Sequence, residues 1–170
     1  MNYLSIIISL VIFVSLFLPW WSIRASGVSI DVYPFRVIAW SVPTYDRDWV
    51  VDRLLTLNST LLIVGVLVVV SIVITAVGSL KLPQLLIAPV LLNLTAAFLF
   101  YKLIYSAIGK LAFGSFSGTN LIALPGEPWG FTIGIGLCVL AGFASPAPLV
   151  LSHLNYHKME QKHRTAKTTQ

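Results

Sequence analysis

The run Leu61-Leu-Ile-Val-Gly-Val-Leu-Val-Val-Val70 sits inside a longer segment, Leu54 to Leu80, that carries no charged residue over 27 positions. A bilayer's hydrocarbon core, about 30 Å thick, is spanned by about 20 apolar residues in helical form. The Val and Ile content alone would suit a strand, but strands rarely exceed about ten residues. The segment therefore predicts a transmembrane helix over about 57–80.

Three more apolar stretches fall beside it. Downstream, Ser79-Leu-Lys-Leu-Pro83 reads as a tight turn. A further span is expected over about 84–105, bent near Pro89, which a membrane helix tolerates when neighbours satisfy the freed carbonyl. Glycines 109, 114 and 118 and Pro125-Gly126 mark a second loop, about 106–128. Another span follows over about 129–151, starting at Trp129 and kinked late by Pro146 and Pro148. Upstream, about 3–20 is expected to be the first helix. It has no positive leader and ends in Pro19-Trp20-Trp21 rather than small residues, which argues against a signal peptide cut near Ala25-Ser26-Gly27.

The long polar connection, about 21–56, contains Val28-Ser-Ile-Asp-Val-Tyr33, which alternates apolar and polar residues with the period of a half-exposed strand. Phe35-Arg-Val-Ile-Ala-Trp40 is expected to pair with it or with the segment leaving Trp21, making a small sheet at the membrane surface. Asp46-Arg-Asp-Trp-Val-Val-Asp-Arg53 reads as the charged first turns of the helix that continues into the second span, its acids suited to a helix N-terminus. The expected fold is an all-α integral membrane protein: an antiparallel four-transmembrane-helix bundle over 1–152 with a small β-containing extracytoplasmic loop, then a basic tail over 153–170.

Four spans put the N-terminus, Lys81 and the tail on one side, with five basic residues against one acidic, or +4. The other side has six basic against five acidic, or +1. Basic residues close to span ends favour the cytoplasm, so both termini are expected there, in an integral cell membrane.

The composition agrees. Of 170 residues, 57% are hydrophobic and only 10% charged, against about 25% charged in soluble domains; mean hydropathy is +0.89. The lone Cys138 gives no disulfide framework and no Cys-x-x-Cys pair. The net charge of +5 is concentrated in the tail rather than on a face with polar support, so nucleic-acid binding is not expected.

The residues that stand out are packing residues. Gly130, Gly134, Cys138 and Gly142 recur every four positions, a small-residue stripe that lets helix backbones approach within the chain or between subunits. Ser71, Thr75 and Gly78 offer a similar face on the second span, and Asn93 is expected to tie helices together, or else to line a polar path. Trp20, Trp21, Tyr101, Tyr105 and Trp129 are placed as interfacial anchors. No Asp, Glu, Arg or His lies deep in a span, which weighs against ion-coupled transport. Asp46, Asp48 and Asp52 interleave with Arg47 and Arg53 as a solvated charged surface rather than a calcium loop. His153 and His157 are helically spaced without a third ligand. Asn58-Ser-Thr60 and Asn93-Leu-Thr95 match the glycosylation pattern, one close to the bilayer and one inside it. With no nucleophile–base pair or phosphate loop, neither catalysis nor a cofactor is expected.

Four spans, a long β-like first outer loop, a shorter second one and a basic inner tail are together similar to the claudin-type tetraspan plan. The resemblance covers topology alone. That family's Gly-Leu-Trp motif and paired loop cysteines are absent here, so no residue role carries over. The expected function is a non-catalytic accessory subunit or interaction partner of a larger membrane assembly, in contact with lipids and with membrane proteins or a second copy. A small oligomeric transporter or channel is the alternative.

Overall fold

The computed structural model describes residues 3–25, 28–41, 49–80, 83–109 and 129–151. In chain order these form α1 (Tyr3–Phe17), β1 (Trp21–Ala25), β2 (Val28–Val32), β3 (Val37–Ser41), α2 (Trp49–Leu55), α3 (Asn58–Leu80), a 3-10 turn (Pro83–Ile87), α4 (Ala88–Ile108), β4 (Trp129–Phe131) and α5 (Ile133–Ala144). Three helical stretches are long and apolar enough to cross a membrane: Asn58–Gly78, Gln84–Ile108 and Ile133–Leu151.

The first helix is shorter than its apolar run. Pro19 sterically pushes Leu18 out of helical conformation, and α1 stops at Phe17 after 15 residues, about 22 Å of helix. The chain then turns into the sheet, with the Trp20 N–H donating to the Val32 carbonyl at 2.8 Å.

Long helices pack in the cyclic order α1, α3, α4, α5 and back to α1. On α3 and just before it the buried positions, besides Gly65 beside Val64, are Leu54, Leu57, Leu61, Val64, Val68, Ser71, Thr75 and Gly78. They are spaced three or four apart, the seam of helices that cross at a shallow angle. Leu62, Ile63, Val66, Val69, Val73 and Val77 point outward. Large apolar side chains pointing outward, with the small and polar Ser71, Thr75 and Gly78 kept inside, are the distribution expected where lipid is the solvent.

At the other end of this packing lies an antiparallel sheet of order β3-β2-β1-β4. Cross-strand partners share a face, so Trp21, Val32, Val37 and Phe131 line the inner side, and Ser22, Arg24, Ser29 and Asp31 the outer. Trp21, Ile30, Val32 and Val37 belong to the same core as the helices. The alternation read in Val28–Tyr33 is thus a strand with Ile30 and Val32 turned inward; of the two partners expected for Phe35–Trp40, β3 takes β2 and not β1, because β2 lies between them.

Two junctions differ from expectation. Trp129–Phe131 is not the start of the last helix; it pairs with Trp21–Ile23 of β1 as a fourth strand. The charged segment before the second span is a separate helix: α2 ends at Leu55, and Thr56 and Leu57 form a turn before α3. There the Thr56 hydroxyl donates to the Arg53 carbonyl, and the Leu57 N–H bonds back to Leu54. Pro89 bends nothing: it lies in the first turn of α4, where no intrahelical partner for an N–H exists. α4 also runs to Ile108, past the expected end near 105. The late kink appears as a turn at Ser145–Pro146. Asp46, Asp48, Lys81, the loop over 110–128 and the tail with His153 and His157 lie outside the described residues.

Candidate functional site: a small-residue helix junction under a polar sheet face

Gly134 and Gly142 are closed off by the chain itself. A Cβ on Gly134 would lie 2.6 Å from the Pro19 carbonyl oxygen and 2.7 Å from Trp20 Cδ1; one on Gly142 would lie 2.9 Å from both Cβ and Nδ2 of Asn93. Between them Cys138 is fully buried, where α5 packs on α1. These three stripe positions therefore serve close approach of α5 to α1 and α4. Gly130 does not belong to that helical stripe. It is in β4 opposite Ser22, at φ 142°, a conformation that side chains rarely adopt.

The second small-residue face is also internal. Gly78 meets Leu86, whose Cδ2 would be 3.0 Å from an added Cβ. Thr75 donates its hydroxyl to the Ser71 carbonyl at 2.8 Å, and Ser145 reaches across to the Leu86 carbonyl at 2.8 Å. Asn93 is fully buried, and neither its amide nitrogen nor its oxygen has a hydrogen-bond partner among the described residues. Ser5 and Ser71 hydroxyls are likewise buried and unpartnered. Chain direction places Ser5, Ser71, Asn93, Gly142 and Ser145 at the end of the helices remote from the sheet, and the large rings at the sheet end.

Those rings correct the anchor reading. Trp20 and Trp21 are fully buried. Trp20 donates its indole N–H to the Ser15 carbonyl at 3.0 Å and packs edge-on to Phe100, centroids 5.2 Å apart. Pro19 has turned both tryptophans from the lipid boundary into the seam between helices and sheet. Tyr101 is half-buried against Phe131, and Tyr105 is more exposed and stacks on Tyr101. Trp129 is described by its backbone alone, in β4.

The sheet's outer face carries the most developed polar arrangement. Arg24 Nη2 donates to both Asp31 carboxylate oxygens at 2.8 Å, and Arg24 Nη1 to the Ser29 hydroxyl. The β2–β3 register skips one residue between Ser29↔Ser41 and Ile30↔Ala39, which leaves Trp40 as the bulged position. A bulge re-aims a side chain, and here the Trp40 indole N–H reaches Asp31 Oδ2 at 2.9 Å while the residue stays 65% exposed. Nothing in single-residue spacing announces this cluster; the signal was the one acid inside an alternating strand. Nearby, burial pushes the Tyr33 phenol above its ordinary range, the Asp31 charge adding to this and Arg36 and Arg24 opposing it. Asn58 plays a structural part, since its Oδ1 accepts the Val37 N–H at 2.7 Å and so fastens the start of α3 to the sheet edge. Asp52 is exposed on α2, and among the described residues no three of His, Cys, Asp and Glu converge as a metal site.

Together these features define a predominantly helical, membrane-type protein with a small sheet built onto its helix ends. Comparison with protein-family models, with curated proteins and with solved structures finds no match to this chain.

Proposed function

We propose that this is a non-catalytic, four-span integral membrane protein of the cell membrane, an accessory subunit or interaction partner that presents its sheet to other membrane proteins. In this reading α1 crosses as the fourth, shortest span, both termini are cytoplasmic and the sheet is extracytoplasmic. Trp40 is the observation that carries it. A large exposed indole is held by a buried carboxylate that Arg24 in turn grips, on a sheet anchored to the helices through β1, β4 and Asn58. Tryptophan and arginine are the residue types most enriched in binding hot spots, and preorganised side chains lose little entropy on binding. The glycine faces are occupied inside the chain, which moves the partner surface from the helix stripe to the sheet.

The unpartnered Asn93 amide favours the second reading, a small oligomeric transporter with that group on its path. One experiment separates the two. The full chain and its Trp40→Ala and Asn93→Ala variants are purified from their native membranes in mild detergent, and reconstituted for solute flux. The interaction reading expects larger partners with the wild type, lost in Trp40→Ala and kept in Asn93→Ala. A homo-oligomer whose flux vanishes in Asn93→Ala overturns it.

A further inference from the structure

On the outside of the helices, near the sheet, α1 and α3 leave an apolar groove of about 470 Å³ between them. Its walls include Phe13 and Phe17 from α1 and Val66 and Val69 from α3, and Phe35, from the turn joining β2 to β3, stands at the sheet end. Gly65 makes room for that ring: a Cβ there would be 3.0 Å from the Phe35 Cβ. The α3 wall runs from Leu62 to Val70, which is about 12 Å along a helix axis.

The next residue, Arg36, is exposed. Its guanidinium carbon lies 5.5 Å from the Phe35 ring centroid and 5.8 Å from that of Tyr33. Arg24 is the cation that pairs with Asp31, and no ion pair of Arg36 is found among the described residues. A narrow greasy channel thus ends at a ring-supported cation whose fork matches phosphate oxygens two at a time. We propose that this groove holds one acyl chain of a phospholipid, with Arg36 meeting the lipid's phosphate. The lining has no polar group to orient a compact ligand, whereas a flexible alkyl chain needs none. A guanidinium at the end of a groove separates this site from Lys102, another exposed cation over a ring, whose Nζ lies 5.8 Å from the Phe98 centroid on α4. The inference rests on the membrane reading of α1 and α3.

The test uses the full chain in bilayer discs containing either a phospholipid or a diacylglycerol, each with the same photoactivatable acyl chain. Adducts should concentrate on Phe13, Phe17, Val66 and Val69, with the phospholipid exceeding the diacylglycerol by about fivefold, the effect of one basic residue near a lipid surface. Arg36→Gln should abolish that ratio, and Val66→Trp, which fills the groove from an exposed position, should lower both yields. Adducts spread evenly over Leu91, Phe98 and Leu140, a ratio indifferent to Arg36→Gln, or cross-links to a second copy would each overturn the proposal. Release of the chain from membranes by an alkaline wash would instead remove the membrane reading beneath it.

Discussion

Adding one methyl group at Gly134 should do more damage than its size suggests. The new Cβ would lie 2.6 Å from the Pro19 carbonyl oxygen and 3.0 Å from that of Leu18. Both are backbone atoms at the junction where α1 hands over to the sheet, so neither can swing aside. The same junction is tied from the other direction by the Thr132 N–H, which donates to the Trp20 carbonyl at 3.0 Å. Overpacking costs about 1–3 kcal/mol, and a clash with fixed backbone belongs at the upper end, about 3 kcal/mol. For a chain of 150–250 residues about 1 kcal/mol shifts Tm by about 2–4 °C, so Gly134→Ala should melt about 6–12 °C below the wild type in detergent. Gly136→Ala is the internal control. An added Cβ there meets nothing within 4 Å, and the better helix former contributes up to about 1 kcal/mol. If the two variants melt together, within about 1 °C of the wild type, the close approach of α5 to the α1–β1 junction is wrong.

Three further outcomes follow from the same geometry. Asn93→Leu replaces a buried amide with no partner by an apolar side chain of similar volume, so Tm should hold or rise, by up to about 1–3 kcal/mol of relieved desolvation; a clear fall would mean that the amide has a polar partner. Asp31→Asn keeps an acceptor for Trp40 but loses the charge that Arg24 grips. With Arg24 nearly half exposed, the loss should be about 1–2 kcal/mol, read as faster amide exchange in β2 and β3, and unchanged exchange would count against the cluster. Tyr33 holds its proton more tightly folded than unfolded, so its share of stability is present below the ordinary tyrosine pKa near 10 and is lost as pH rises through the higher folded value. Subtracting the alkaline absorbance titration of Tyr33→Phe from that of the wild type should give a midpoint above 10, and a midpoint at or below it would contradict the buried setting.

Long-range partners explain what the sequence hid. Length and absence of charge make the Leu54–Leu80 stretch legible by itself, and period-two alternation does the same for β2. Trp129-Gly-Phe131 is too short to show a period and continues directly into an apolar helix, so only its pairing with β1, more than 100 positions earlier, reveals a strand. Trp20 and Trp21 look like boundary residues by composition; Pro19 redirects them inward, an effect that depends on a sheet waiting to receive them. Gly134 and Gly142 lie hard against Pro19 and Asn93, but glycine spacing cannot say whether the surface it meets belongs to the same chain. Asn58 matched a modification pattern, while its side-chain Oδ1 accepts from the Val37 N–H, a partner 21 positions away.

Membrane spanning requires above all that the sheet and the α3–α4 turn lie on opposite sides of a bilayer. Ala39 on the sheet and Gln84 beside the turn are both exposed, so a single cysteine at either, with Cys138 replaced by alanine, can be probed in sealed cells by a membrane-impermeant maleimide. Ala39→Cys should label in intact cells and Gln84→Cys only after the membrane is opened. Equal labelling of both before opening would contradict the membrane-spanning arrangement.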